Sequence, residues 1–156
     1  MTKKDSSELA CGVIPEMASS CMLMRTRLIA RVVTGIYDQA LRPFGINSPQ
    51  FALLLVMCSM GPASRAEIGR FHRQDRSTLT RNLQIMISEG WIDEVEEGAV
   101  GRARPMRLTK AGMDLLYKAE PAWQTAQVQT KALLGGNGVT AVMDMANNLL
   151  SSTTAV

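Results

Sequence analysis

Residues 75–90 read DRSTLTRNLQIMISEG, and the fold follows from how that stretch is understood. Asp75 is a candidate N-cap, because its carboxylate accepts from amides two or three residues on. Gly90 suits the C′ position, where a helix closes through a left-handed residue. Between them Leu79, Leu83, Met86 and Ile87 recur at helical spacing, which predicts one apolar stripe facing a core. The other face carries Arg76, Ser77, Thr80, Arg81 and Gln84, with Thr78 at its border, and no acid lies between Arg76 and Ser88. Such groups donate to phosphates and base edges, and the planar fork of Arg matches the two acceptors of guanine. On this helix alone an ordinary solvated face explains the residues equally well, so the flanking sequence decides.

Upstream, Ser64-x-x-Glu67 forms a capping box that starts a short helix through about Phe71. A brief connection, His72 to Gln74, leads into the Asp75 helix. Two short helices joined by a tight turn, the second with a basic polar face, form a helix-turn-helix. Downstream of Gly90 the texture changes. Trp91–Val95 and Arg104–Leu108 have strand character, with Gly98 and Gly101 between them, which predicts a hairpin with a flexible tip. Pro105 lacks an N–H and points to an edge strand. A hairpin directly after a recognition helix is a wing, and its Arg102 and Arg104 sit where they reach phosphates or a minor groove.

The outer segments read as helices. Residues 1 to about 15 are polar and loose, with Gly12 and Pro15 opposing an early helix. From Met17 to Leu41 the pattern is helical: Met24, Leu28, Val32 and Ile36 fall four apart, and Ile29, Val33 and Leu41 widen the stripe. That apolar surface suits a partner helix as well as a core. Pro43 and Gly45 end the segment. Ser48 caps the next helix, with Pro49 in its first turn. FALLLVMCSM (51–60) is apolar almost all round, so this helix is the expected buried centre and Cys58 an inert core residue. Gly61-Pro62 stops it. Thr109 caps a helix from Lys110 to about Leu134, in which Leu115, Leu116 and Trp123 form an apolar side and Pro121 is a candidate kink. Gly135-Gly136-Asn137-Gly138 breaks it, and a final helix runs from Val139 to Leu150 before a frayed SSTTAV tail.

At 156 residues and 46% hydrophobic content the chain is a globular unit with enough length to bury a core. The net charge of +3 says little, but its distribution says more. Residues 64–81 hold Arg65, Arg70, Arg73, Arg76 and Arg81 against Glu67 and Asp75. Residues 98–110 hold Arg102, Arg104, Arg107 and Lys110 with no acid, whereas 89–97 hold Glu89, Asp93, Glu94, Glu96 and Glu97. Positive charge is therefore gathered in two patches. No stretch approaches the ~18 apolar residues of a membrane span, and the N-terminus makes a poor signal peptide. Cys11, Cys21 and Cys58 do not form a secreted disulfide framework. A cytoplasmic location with no membrane association is the expectation. His72 stands alone, with no metal-ligand spacing around it, and no Walker loop, nucleophile elbow or paired carboxylates occur. Neither an enzyme nor a metal or cofactor site is expected.

With these elements in place, the chain resembles the MarR family of transcriptional regulators. The likeness rests on RVVTGIYDQALRPFGINSPQFALL (31–54), AEIGRFHRQDRSTLTRNLQIMISEGWI (66–92), GRARPMRLTKAG (101–112) and the helical C-terminus. The resemblance implies a mainly α fold with a small β-hairpin wing, within a single domain over 1–156. In it, 48–109 form a winged helix-turn-helix lobe, and 17–45 with 110–152 supply dimerisation helices. It implies a homodimer that reads double-stranded DNA at a pseudo-palindromic operator, with half-sites about one helical turn (~34–36 Å) apart. By position, Ser77, Thr78 and Arg81 match the family's contacts on the recognition helix, and Arg102 and Arg104 match the wing. The family's Asp-x-Arg wing pattern is absent, since Val100 and Gly101 stand nearby.

The resemblance also implies a repressor released by a small-molecule effector, often aromatic or anionic, seated between dimer helices and lobe. Arg25, Met57 and Met60 are the candidates for that crevice, although methionines more often simply fill cores. Cys21 lies near the start of the first long helix, where peroxide-sensing members keep a reactive thiol. A thiol-based redox sensor is therefore one alternative. The other is a winged-helix protein-interaction module that never binds DNA, against which the donor-rich face of 76–84 argues.

Overall fold

Helix begins earlier in the chain than its apolar spacing predicts. The computed structural model describes residues 13–95 and 104–151. Residues 13–20 form α1, with Pro15 in its first turn, where a missing N–H costs nothing. The single expected helix from Met17 is interrupted at Cys21 and resumes as α2, Met22–Leu41. Packing divides the chain into one compact unit ending at Gly35 and another beginning at Ile36. Along α2, Met24, Leu28, Ile29 and Val32 are all exposed, and the only buried side chain of the helix is Leu41.

A 3-10 turn at Arg42–Phe44 ends in Gly45, whose φ of 73° requires the left-handed region. Next comes α3, Ser48–Met60. Its cap is Asn47 rather than the expected Ser48. The Asn47 side chain accepts from the Gln50 amide at 2.9 Å, while the Asn47 amide donates to Gln50 Oε1 at 3.2 Å, a reciprocal capping box. Ser48 instead lies in the first turn, and its amide donates to Asp38 Oδ1 at 2.7 Å. Phe51, Leu53, Leu54 and Met57 of α3 are buried, as the apolar run predicts. The burial is one-sided, however. Leu55 is 45% exposed and Cys58 is exposed, not the inert core residue expected.

The helix-turn-helix forms as read. The first helix, α4 (Arg65–His72), carries the Ser64–Glu67 capping box. The second, α5 (Arg76–Ser88), is capped by Asp75, whose carboxylate accepts from the Thr78 amide at 2.9 Å. Leu79, Leu83 and Met86 are buried and Ile87 is partly buried, as the stripe requires; Asn82 is buried among them. At its end the Trp91 amide donates to Met86 O and the Gly90 amide to Ile87 O, both at 2.9 Å, with Gly90 at φ 70°. This is a Schellman closure, and Gly90 holds the C′ position assigned to it.

Antiparallel strands β1 (Ile92–Glu94) and β2 (Met106–Leu108) follow, in register Ile92↔Leu108, Asp93↔Arg107 and Glu94↔Met106. The carbonyl of Pro105 accepts from the Val95 amide at 2.8 Å, a ladder bond that needs no N–H of its own. Ala63 adds a third, one-residue strand by exchanging two bonds with Met106, at 3.0 and 2.8 Å. A lone bridging residue has no alternation to reveal it in sequence.

The last element, α6, spans Lys110–Ser151. Its backbone is helical through Pro121 and departs only at Gly135 (φ 66°, ψ 168°), so the kink belongs to the glycine and not to the proline. The four-residue break expected at 135–138 thus shrinks to one residue. In the unit beginning at Ile36, the core joins Leu41, Leu53, Leu54, Met57, Ile68, Leu83, Met86, Ile92 and Met106, all fully buried. Among the described residues no single helix is long and apolar enough to cross a membrane.

The junction of β1 and α6 explains the L-T-x-x-G spacing at 108–112. Thr109 donates to Trp91 O through its amide at 3.0 Å and its hydroxyl at 3.1 Å, and its hydroxyl also reaches Gly90 O at 2.7 Å. The same hydroxyl accepts from the Gly112 amide at 3.1 Å, so Thr109 is the expected cap. A methyl at Gly112 would drive into the Trp91 carbonyl and lie 2.8 Å from Leu108 Cδ1. Gly112→Ala is therefore expected to lose about 1–3 kcal/mol through overpacking, read as a lower urea midpoint at unchanged slope.

Candidate nucleic-acid interface

The outer face of α5 is built by its cap and its buried stripe together. Fixing Leu79, Leu83 and Met86 inward leaves Arg76, Ser77, Thr78, Arg81 and Gln84 exposed and Thr80 half-buried. Arg76, Ser77, Thr80, Arg81 and Gln84 surround a shallow depression of about 500 Å³. The hydroxyls are not all free donors. Ser77 Oγ donates to Asp75 Oδ1 at 2.6 Å, and Thr80 Oγ1 donates to Arg76 O at 2.7 Å. What this face offers a ligand is therefore mainly two guanidinium groups and an amide, with hydroxyl lone pairs between them.

Hydrogen bonds from Ser77 and from the Thr78 side chain and amide hold the Asp75 carboxyl far below the usual carboxylate range. The same effect acts on Glu67, whose largest contribution is the Ser64 hydroxyl. Both helices of the motif thus have a carboxylate in their capping bonds, the N-cap Asp75 in α5 and the N3 residue Glu67 in α4. Burial lowers the pKa of His72 at the end of α4. Arg73, which follows it, adopts a left-handed conformation (φ 48°, ψ 35°), and its Nη2 donates to Leu149 O of α6 at 2.7 Å.

A second, larger cleft of about 1080 Å³ opens between α4, α5 and the hairpin. It is lined by Arg65, Arg70, Gln74, Arg76, Thr80, Glu94 and Arg104, with Ala66, Gly69 and Leu79 as its floor. The two helices approach closely there; a methyl on Gly69 would sit 3.1 Å from Leu79 Cδ2. Sequence reasoning gave Arg104 and Arg76 to this region but missed Arg65, Arg70, Gln74 and Glu94 as lining residues. The arginine run over 64–81 was the visible signal for Arg65 and Arg70. Arg102 lies outside the described residues. Arg107, counted in the basic run, forms a cross-strand pair with Asp93 at 2.8 Å.

The remaining candidates are distributed through both units. In the N-terminal unit, Arg25 donates to Ser19 O at 2.7 Å, and Cys21 is a half-buried free thiol between α1 and α2. Met57 is fully packed within the lobe core. Met60 opens on a crevice of about 600 Å³ shared with Glu67, Arg70, Phe71, Asn147, Leu150 and Ser151.

Comparison with known proteins fits this geometry. The model of the MarR family matches residues 44–103, from the 3-10 turn into the hairpin. The M. tuberculosis transcriptional regulator MosR, crystallised in complex with DNA, is 32% identical, with 87% of this chain and 98% of MosR covered and a TM-score of 0.72. The chain belongs to the MarR family. A point mutant of E. coli MarR, crystallised with operator DNA, shares the fold at a TM-score of 0.75, covering 86% of this chain and 96% of that one at 17% identity. A curated relative, the uncharacterised HTH-type transcriptional regulator YwoH of Bacillus subtilis (strain 168), is 28% identical over 81 residues. That match spans 52% of this chain and 58% of YwoH. The winged-helix architecture read from the sequence is the MarR fold, and family members are transcription regulators, not enzymes.

The ionised cap has a pH consequence. Because the folded pKa of Asp75 is depressed, its stabilisation is fully present above the unfolded value, about 3.9. It is lost as pH falls through the folded value. Asp75→Ala is expected to lower the melting temperature at pH 7 and to shrink its deficit as the pH is taken below about 4, in thermal melts across that range.

Proposed function

We propose that this chain is a homodimeric DNA-binding repressor that reads a pseudo-palindromic operator through α5 and the hairpin. A small aromatic or anionic ligand would release it. One observation carries the reading: the exposed face of α5 bears Arg76, Arg81 and Gln84 with no acid before Glu89, and it adjoins a cleft rich in arginine. Arg81 and Gln84 have the reach and donor geometry to read base edges in a major groove, whereas Arg65, Arg70 and Arg104 suit phosphates on either side. The DNA complex of MosR, the 32%-identical relative, supports the same use of the lobe.

Dimerisation rests on exposed apolar surface. Met22, Leu23, Met24, Leu28, Ile29 and Val32 are exposed along α2, and Val142, Met143, Met145 and Leu150 along the end of α6. Two long apolar faces on one small chain are what a second copy would cover. Residues 17–45 and 110–152 would then serve as dimerisation helices and 48–109 as the DNA-binding lobe. The crevice at Met60 supports ligand release. Phe71 and Leu150 offer apolar walls and Arg70 a cation, and Leu149, beside Leu150, accepts the bond from Arg73 at the helix-turn-helix turn.

Fluorescence anisotropy on a duplex from the protein's own upstream region, beside a scrambled duplex and at two salt concentrations, tests the reading. Salt-sensitive binding that prefers the native duplex by ~10³ or more is expected. Weak, equal binding to both would favour a protein-interaction module. Arg81→Ala is expected to cost about 1–3 kcal/mol on the native duplex and much less on the scrambled one. Leu28→Glu with Val32→Glu is expected to give monomers in sedimentation equilibrium and to weaken native-duplex binding by more than about tenfold, because each half-site alone supplies only part of the affinity.

A further inference from the structure

The cleft between α4, α5 and the hairpin holds four arginines and one acid. Arg65, Arg70, Arg76 and Arg104 line it, and Glu94 of β1 is the sole carboxylate among its described lining residues. Glu94 is also placed to divide itself between two of them. Its Oε1 accepts from Arg65 Nη2 at 3.1 Å, and its Oε2 lies 3.9 Å from Arg104 Nη1. One carboxylate thus links the first turn of α4 to the second arm of the hairpin, two elements 39 residues apart in sequence (104 − 65). The side chains are 44%, 36% and 57% exposed for Arg65, Glu94 and Arg104, so the pairs contribute little to folding stability. Exposure makes them poor as fold-stabilising contacts and available to a ligand.

An acid in a cationic cleft opposes a polyanion. If the cleft meets a DNA backbone, the charge of Glu94 opposes it, and only a duplex whose phosphates match the positions in which Glu94 holds the arginines offsets that cost. Glu94 also narrows where two guanidinium groups sit before binding. The segment that carries Arg104 has no acid of its own to do this, because residues 98–110 contain none. Ordered arginines reach phosphates at fixed positions, while unrestrained ones follow the backbone of any duplex; phosphate contacts set register in this way.

We propose that Glu94 is a positioning residue for DNA discrimination. By holding Arg65 and Arg104 in one arrangement, it suppresses binding to non-cognate duplex more than binding to cognate duplex. The proposal rests on the DNA-binding reading above and adds a residue whose charge has the opposite sign to a DNA contact. Its role is specificity rather than affinity, a repulsive element set among attractive ones.

The test is Glu94→Gln in the full chain, with Glu94→Asp beside it, titrated against the native upstream duplex and the scrambled duplex at two salt concentrations. Glu94→Gln is expected to tighten the scrambled duplex by about three- to tenfold and steepen its salt slope by about one, as removal of one charge at a phosphate contact allows. The native duplex should change by less than about twofold, because relief of the repulsion is offset there by loss of the arginine placement that its phosphates match. Glu94→Asp keeps the charge and should restore the scrambled-duplex affinity of the wild type. Side-chain NMR of the free protein supplies a readout without DNA: order at the Arg65 and Arg104 Nε should fall in Glu94→Gln. Equal tightening on both duplexes, or unchanged arginine order, would overturn the proposal and leave the DNA-binding reading intact. A wild-type protein that does not distinguish the two duplexes would overturn both.

Discussion

Much of the lobe hangs on one carbonyl oxygen, that of Trp91. It accepts from the amide and hydroxyl of Thr109, and the bare α-carbon of Gly112 packs against it. Three things meet at that point: the Schellman closure of α5, the first residue of the hairpin, and the N-terminus of α6. A partly buried carbonyl needs its partners, and here they come from the same residue that caps the following helix. The recognition helix, the wing and the long helix leaving the lobe are therefore fixed to one another within a few ångströms. A side chain at residue 112 would separate them, which is why glycine stands there.

From that anchor outward, the lobe follows a division of labour. Aliphatic and Met side chains of α3, α4, α5 and both strands fill one core, which turns the polar stripe of α5 outward. The polar face is then shaped by bonds too local to affect the fold. Asp75 is the clearest case, because it caps α5 and also accepts the hydrogen bond of the Ser77 hydroxyl. A residue read from sequence as a donor thereby becomes an acceptor at the surface. Electrostatics at this face depend on arginines that share a cleft but come from distant segments, with the acid of β1 among them.

Apolar surface is treated differently in the two halves of the chain's length. The lobe buries most of its large apolar side chains, with Leu55, Phe71 and Ile85 exposed, whereas α2 and the end of α6 leave most of theirs open. Exposed stripes of Leu, Ile, Val and Met at helical spacing cost hydration free energy in a lone chain. Pairing with a second copy, as proposed, would remove that cost and would give the two recognition helices a common frame.

Local chemistry was legible in the residues themselves. Asp75, Gly90, the Ser64–Glu67 box and the Thr109 cap act within three or four residues, so their spacing specifies their geometry. The inward stripe of α5 follows from helical periodicity alone. Where sequence misled, two local signals competed or a neighbour intervened. Asn47 displaced Ser48 because its capping box with Gln50 satisfies two donors, and Asp38 claimed the Ser48 amide. Gly135 broke α6 where Pro121 did not, since only glycine enters its backbone conformation without strain. Cys58 came to the surface because α3 buries one side of an all-apolar run, and periodicity gives no direction when every position is apolar. The Ala63 bridge, the Arg65–Glu94–Arg104 cluster and the Arg73 bond to Leu149 belong to tertiary structure alone. Each joins segments far apart in the chain, and no spacing rule reaches across such distances.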